Sequence, residues 1–264
     1  MSDRDSFLAA IVGRPDDDLP RLIYADYLDE RGESPRAEFI RLQCAAARGD
    51  TVPPGRIFEL EDRHRQEWLA PLGRGVYYAQ FRRGFAEHVV MTARDFIHDG
   101  DAIRAQTPLR GVALLGAGRV LARLLAGPHL AGLSAIHLTG GMLGDAGVER
   151  LAECPHLAGV RTLRLGQNEI GDSGAAALAQ SAHLDQLQVL VLSHNAVGDA
   201  GAWELARSPS LRQLRALDIS ANEISATAVA TLENSPFLEN LSELHADDQH
   251  PSARWRLPAL LASK

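Results

Sequence analysis

One period constrains this chain more than any other feature. Leu133, Val160, Leu187, Leu214 and Leu241 follow one another at steps of 27 residues, and the later columns keep step. Leu138, Leu165, Leu192 and Ile219 form a second column; Asn168, Asn195 and Asn222 a third; Leu151, Leu178, Leu205 and Leu232 a fourth. A fixed period of this length means a stack of supersecondary units. None of them can bury its own apolar face without a neighbour. Each unit opens with strand-type alternation. In Val160–Leu165 the leucines 163 and 165 point to a core, while Thr162 and Arg164 point to the opposite, solvent-facing side. An asparagine follows, with two donors and an acceptor for the backbone groups left open where the chain turns inward. A short helix rich in alanine and leucine completes the unit. Asp145, Asp172 and Asp199 stand where its N-cap would be, Gly147, Gly174 and Gly201 where helices crowd, and Pro155, Pro209 and Pro236 where it stops.

The consensus, L-x-x-L-x-L-x-x-N-x-I/V-G-D-x-G, resembles the leucine-rich repeat in its long, ribonuclease-inhibitor-like class. The resemblance implies an α/β right-handed solenoid of five to six strand–turn–helix repeats with a parallel concave sheet. Its ends are degenerate, as capping repeats are. Leu109 lies 24 residues before Leu133, so the first unit lacks three residues in its turn. In the last unit, Ala246 and Gln249 replace the core and asparagine consensus.

Before the repeats, residues 1–50 read as three short helices. Phe7, Leu8 and Ile11 share a face of the first. Leu19, Leu22, Ile23, Tyr27 and Leu28 form the apolar stripe of the second, which Gly32 ends. A fourth helix is expected over Arg56–Leu69. Two strands follow at 76–81 and 85–91, turning through Arg82-Arg83-Gly84, and a helix runs from about Ala93 to Ala105. The expected division is a helical module over 1–50, linking helices and a capping hairpin over 51–108, the solenoid over 109–250 and a tail over 251–264. The run Pro15–Gly32 with Arg36-Ala37-Glu38-Phe39-Ile40-Arg41-Leu42-Gln43 resembles the bacterial "repeat-companion" domain, a module found ahead of repeat arrays. That resemblance implies association with a repeat scaffold and carries no catalytic residue.

Composition narrows the function. Hydrophobic residues make up 45% of the chain and aromatics only 5%, as an aliphatic solenoid core requires. No run of 18 apolar residues suggests a membrane span, and the polar start lacks a signal-peptide core. With Cys44 and Cys154 as the only cysteines, the expectation is a cytoplasmic protein. Residues 133–250 hold 6 Arg against 15 acids, whereas 1–132 hold 18 against 19. An acidic array disfavours nucleic acid and suits a basic protein surface.

Several motifs suggest chemistry and are better read structurally. Gly171-Asp172-Ser173-Gly174 looks like a serine nucleophile, yet Ala146 and Ala200 hold the serine's position in neighbouring repeats. Asp16-Asp17-Asp18 suits a capped helix start better than a cation site. The run from His245 to His250 fits no metal-ligand spacing. No catalytic residue, cofactor or metal is expected. What remains is the concave face, with His137, Thr162, Arg164, Val189, Val191, Asp218, Glu243 and His245 as candidate partner-binding residues. A small apolar centre with a polar rim suits a protein surface, though the same residues could simply be a solvated sheet. The function expected is a non-enzymatic scaffold for a protein partner. The alternative is an inhibitor or regulatory cofactor of an enzyme such as a protease or nuclease.

Overall fold

The structure, a computed structural model, describes residues 2–246. They form two compact units: one holds the chain up to Met91 together with His98–Arg110, the other Thr92–Ile97 together with the chain from Gly111 onward. Among the described residues no helix is long and apolar enough to cross a membrane.

The first unit begins with helix α1 (Asp3–Gly13). Ser2 caps it reciprocally: its hydroxyl accepts the Asp5 N–H, and the Asp5 carboxylate accepts the Ser2 N–H. Helices α2 (Leu19–Asp29) and α3 (Ser34–Ala47) each carry proline in the first turn, where its missing N–H is not needed. Helix α4 (Arg56–Leu69) precedes an antiparallel hairpin of β1 (Val76–Arg82) and β2 (Phe85–Thr92). Its turn is the pair Arg83-Gly84, both at positive φ (47° and 85°), the geometry that matches strand twist in a two-residue loop. Gly84 is required twice, because a Cβ there would also lie 2.4 Å from Cγ1 of Ile40. Helix α5 (Ala93–Gln106) follows.

Leu8, Ile11, Tyr24, Ala25, Leu28, Ile40 and Phe85 build the core of this unit. The expected stripe of α2 is corrected here. Its buried face is Pro20, Arg21, Tyr24, Ala25 and Leu28, whereas Leu19 and Ile23 are exposed. The helix is turned this way around Arg21, which has no accessible surface. Arg21 donates to the carbonyls of Pro15 and Arg83 and pairs with buried Glu87 at 3.0 Å. The Asp16–Asp18 run is taken up by arginines and a helix start. Asp16 pairs with Arg110, Asp18 with Arg48, and Asp17 accepts the Leu19 N–H.

The second unit is built from β3 (Gly111–Leu115), α6 (Leu121–Ala126), β4 (Ala135–His137), α7 (Gly144–Ala152), β5 (Thr162–Arg164), α8 (Asp172–Gln180), β6 (Val189–Val191), α9 (Asp199–Ala206), β7 (Ala216–Asp218), α10 (Ala226–Glu233) and β8 (Glu243–His245). Strands β3 to β8 pair in chain order, all parallel. Gly111 pairs with Ala135 at a step of 24, and every later step is 27. The shortened first repeat therefore keeps its strand in register. The column leucines 151, 178, 205 and 232 are buried, as are Leu163, Leu190 and Leu217 at the strand centres. This is the leucine-rich-repeat architecture that the period predicts.

Three side-chain ladders satisfy the buried backbone. Nδ2 of Asn195 donates to the carbonyls of Leu165 and Leu192, while its Oδ1 accepts N–H groups of Asn168 and Ile170 in the preceding repeat. Asn168 and Asn222 repeat the pattern. Ser181, Ser208 and Ser235 donate to the carbonyls of Ala152, Ala179 and Ala206. The aspartates form the third ladder, and here the expectation of own-helix caps is corrected. Oδ1 of Asp145 accepts the N–H groups of Gly171 and Gly174, which open the next repeat's helix. Asp172 does the same for Gly198 and Gly201. The glycines follow from this contact: a Cβ on Gly174 would meet Oδ1 of Asp145 at 2.7 Å, and one on Gly201 would meet Oδ1 of Asp172 at 2.8 Å.

Candidate functional site

The eight candidate residues fall into two columns. Thr162, Val189 and Glu243 share one with Ala135 and Ala216. The other runs His137, Arg164, Val191, Asp218, His245, one residue per strand. Parallel strands lie about 4.8 Å apart, so Arg164 and Asp218 stand about 10 Å apart with Val191 between them. The ladder thus brings all eight residues onto one side of the sheet.

Their exposure departs from the expectation. His137, Thr162, Arg164, Val191 and Asp218 are buried, Arg164 to 8% exposure. Val189 and His245 are half-buried, and only Glu243 is exposed. In-register neighbours flank each side chain at one strand spacing, which an alternation pattern in a single strand does not register. The gradient agrees, because β8 is the last described strand and Glu243 has a strand neighbour on one side only. Asp247, Gln249, His250 and the expected tail lie outside the described residues.

Electrostatics follow burial. Loss of water pulls the Arg164 guanidinium below its ordinary pKa, and the charge of Asp218 works against that. Asp218 is anchored in turn, since its Oδ1 accepts both the N–H (3.1 Å) and the hydroxyl (2.6 Å) of Ser220. The turn beyond each strand is equally regular. Gly116, Gly140, Gln167, His194 and Ala221 occupy one repeat position, all at positive φ between 53° and 67°. Three non-glycine residues are therefore held left-handed along one rim, a conformation that costs energy and is fixed here by the ladders around it.

The remaining motifs resolve into structure. Ser173 lies in the first turn of α8. Cys154 is buried in the serine column, and burial pushes the Cys44 thiol up to about 11, far from a nucleophile's range. Among the described residues no group of three His, Cys, Asp or Glu could hold a metal ion. Sequence reasoning passed over Arg21, Glu87 and Arg36, each an ordinary charged residue in its local pattern.

The family model described as "Leucine Rich repeat" matches residues 160–179 and 186–206, the repeats that open at Val160 and Leu187. No curated protein matches the chain. Among solved structures, it is similar to the actin-binding site 2 of leiomodin-1 (15% identity, 55% of this chain and 86% of that one, TM-score 0.38). It is also similar to the tropomodulin C-terminal domain of Caenorhabditis elegans (16%, 58% and 82%, TM-score 0.35). A third is internalin C2 of Listeria monocytogenes (20%, 62% and 72%, TM-score 0.35).

Proposed function

We propose that this protein is a non-enzymatic scaffold that takes a protein partner on the strand face of its repeat array. The observation that carries the reading is the column Arg164–Val191–Asp218. The same strands place leucine on one face and a cation, an apolar residue and an anion, in register, on the other. Stability alone does not account for the two charges. Each buried charge carries a desolvation cost that a well-packed apolar residue in its place would not. A surface that must read a partner's charges has a use for them, and charge complementarity sets specificity and association rate. The acidic balance of residues 133–250 suits a basic partner surface. We read the partner's approach as starting at the last described strand, at Glu243 and His245. In the same reading the repeats are ribonuclease-inhibitor-like, the helical module is a repeat-companion domain, and the protein works in a bacterial cytoplasm.

The test is capture from the native cell by the full chain, wild type against Glu243→Arg with His245→Glu. Capture should fall by about tenfold, a loss of roughly 1.4 kcal/mol, with an unchanged melting curve. Capture at wild-type strength would refute the strand-face assignment.

A further inference from the structure

A cleft of about 100 Å³ opens inside the first unit, apart from the repeats. Arg4, Tyr24, Glu33, Arg36, Glu67 and Gln106 give it a polar side, and Leu8, Trp68, Pro71, Leu72, Phe81 and Phe85 an apolar one. All five helices of the unit and both strands of the hairpin, or their immediate flanks, supply a wall residue. We propose that this cleft binds a monoanionic carboxylate carried on a small apolar body, with Arg36 as the cation that receives it.

Arg36 is an unusual cation. Its guanidinium carbon sits 4.6 Å from the Trp68 ring centre, 5.4 Å from Phe81, 5.5 Å from Phe85 and 5.7 Å from Phe39, inside a box of four rings. One terminal nitrogen, Nη2, donates to the Gly84 carbonyl. The other, Nη1, is closed off from water and donates to nothing among the described residues. Burial holds its pKa down to about 10, the mark of a charge carried with too little compensation. Ring faces attract a cation but do not accept its in-plane hydrogen bonds. A buried donor without an acceptor calls for an explanation, a missing ion among them. A carboxylate seated in the cleft beside the guanidinium supplies the counter-charge.

The walls choose among anions. Glu33 is already engaged by Arg4 at 3.1 Å, and Glu67 stands beside His64 at 3.1 Å. Two carboxylates at the wall repel a dianionic phosphate more than a single carboxylate, so a monoanion is favoured. Trp68, Phe81 and Phe85 leave room beside the charge for an aliphatic or aromatic body, the usual pattern of an apolar pocket with few polar anchors. A small apolar acid and the C-terminus of a peptide ending in an apolar residue share this chemistry.

The test is a ¹H–¹⁵N titration of the full chain, following the Trp68 indole N–H (assigned with W68F) and the Arg36 Nε–H. The probes are N-acetyl-leucine, its primary amide, and a tetrapeptide ending in leucine as free acid and as amide. Both resonances should move saturably with the acids, and the amides should bind at least about tenfold weaker, the scale of one charge-assisted bond. Stronger binding of the tetrapeptide acid than of N-acetyl-leucine identifies a peptide C-terminus as the ligand, and the reverse a small acid. R36K keeps the charge and loses the planar fork, so it should bind the acids about tenfold more weakly with its spectrum otherwise intact. Equal response to acid and amide, or no response at millimolar probe, overturns the proposal and leaves Arg36 as a pin for the hairpin tip. Should R36K fail to fold, the acid–amide contrast in the wild type decides alone.

Discussion

Apart from the strand-face column of His137, Arg164 and Asp218, the two units bury polar groups in opposite ways. In the repeat array the same small solution recurs: an asparagine, an aspartate and a serine per repeat, each bonded to backbone of a neighbouring repeat. Most of these groups are neutral, and no single rung carries the whole. In the helical unit the polar load is concentrated. Arg21 is wholly buried against Glu87, Arg36 sits in a box of rings, and His88 is buried in β2. Repetition lets the array spread its desolvation over many equivalent, weakly costly sites. The helical unit has no period to spread over, so each buried charge is an individual commitment.

That contrast predicts where the molecule is fragile. Among the described residues, Arg21→Met leaves buried Glu87 with Arg110, at 3.4 Å, as its remaining ion-pair partner. It should destabilise by about 3–5 kcal/mol in urea unfolding, the range for breaking a buried pair. Adding Glu87→Met should restore part of that loss, because the penalty lies in the stranded charge. A loss under 1 kcal/mol for the single variant would remove the basis of the comparison.

His88 gives the next largest effect, and it depends on pH. Burial, with help from the charges of Arg82 and Arg110, pushes its pKa down to about 4. Its unfolded value is about 6.5. As pH falls below 6.5 the unfolded chain takes up a proton that the folded chain refuses, so stability drops until pH reaches about 4 and then levels. The whole window is worth about 3 kcal/mol at one pKa unit per 1.36 kcal/mol. His88→Asn should flatten it in denaturant melts taken from pH 7 to 4. A wild-type slope that survives the substitution would assign the acid sensitivity to other groups.

One rung of the array should cost less than one buried charge. Asn195→Leu strands the N–H groups of Asn168 and Ile170 near the turn and leaves the carbonyls of Leu165 and Leu192 with one side-chain donor each instead of two, at about 1–3 kcal/mol. Equality with Arg21→Met in the same assay would mean that the ladders are no more tolerant than the isolated charges. An unchanged melt would mean that Asn195 is no rung.

The same contrast explains what the sequence made legible. A period advertises itself, so the strand positions, the 24-residue first step and the role of the asparagines follow from columns alone. Helix α4 and the hairpin were readable from local punctuation. The aspartates were placed at the right column and given the wrong partner, because their acceptors serve a helix 26 to 29 residues ahead and no local pattern records that. Burial along the strand face was missed for a related reason: Thr162 looks outward in its own strand, and the covering neighbours come from other repeats. In α2 the failure is different. Arg21 breaks the apolar stripe and reads as surface, while Leu19 and Ile23 read as core. The partner that inverts this, Glu87, is 66 residues away. Arg36 carries no signal at all until four rings from four elements close around it.

The smallest effect tests the aspartate ladder at its last rung, where the rule changes. In the two earlier rungs one carboxylate oxygen takes both free amides of the next helix, and glycine at 174 and 201 makes room for it. Helix α10 starts with Ser225, whose hydroxyl takes the Ala228 N–H itself, at 3.4 Å. Asp199 is left with the Ser225 N–H and hydroxyl, each at 2.7 Å, so Ala228 needs no glycine. Those two bonds, the backbone one first, hold the Asp199 carboxyl below its ordinary pKa. A depressed carboxylate lends stability that is present above the unfolded value of about 3.9 and is lost as pH falls through the folded value. Ser225→Ala removes the hydroxyl and leaves the N–H. The Asp199 carboxyl, followed by ¹³C titration, should then move part of the way back toward the ordinary range. Asp199→Asn should alter the melt only slightly at pH 7 and remove that part of the acid-side slope. A carboxyl that titrates identically with and without the Ser225 hydroxyl would show that the ladder holds its last rung through backbone alone. The serine would then be an ordinary helix cap that happens to face an aspartate.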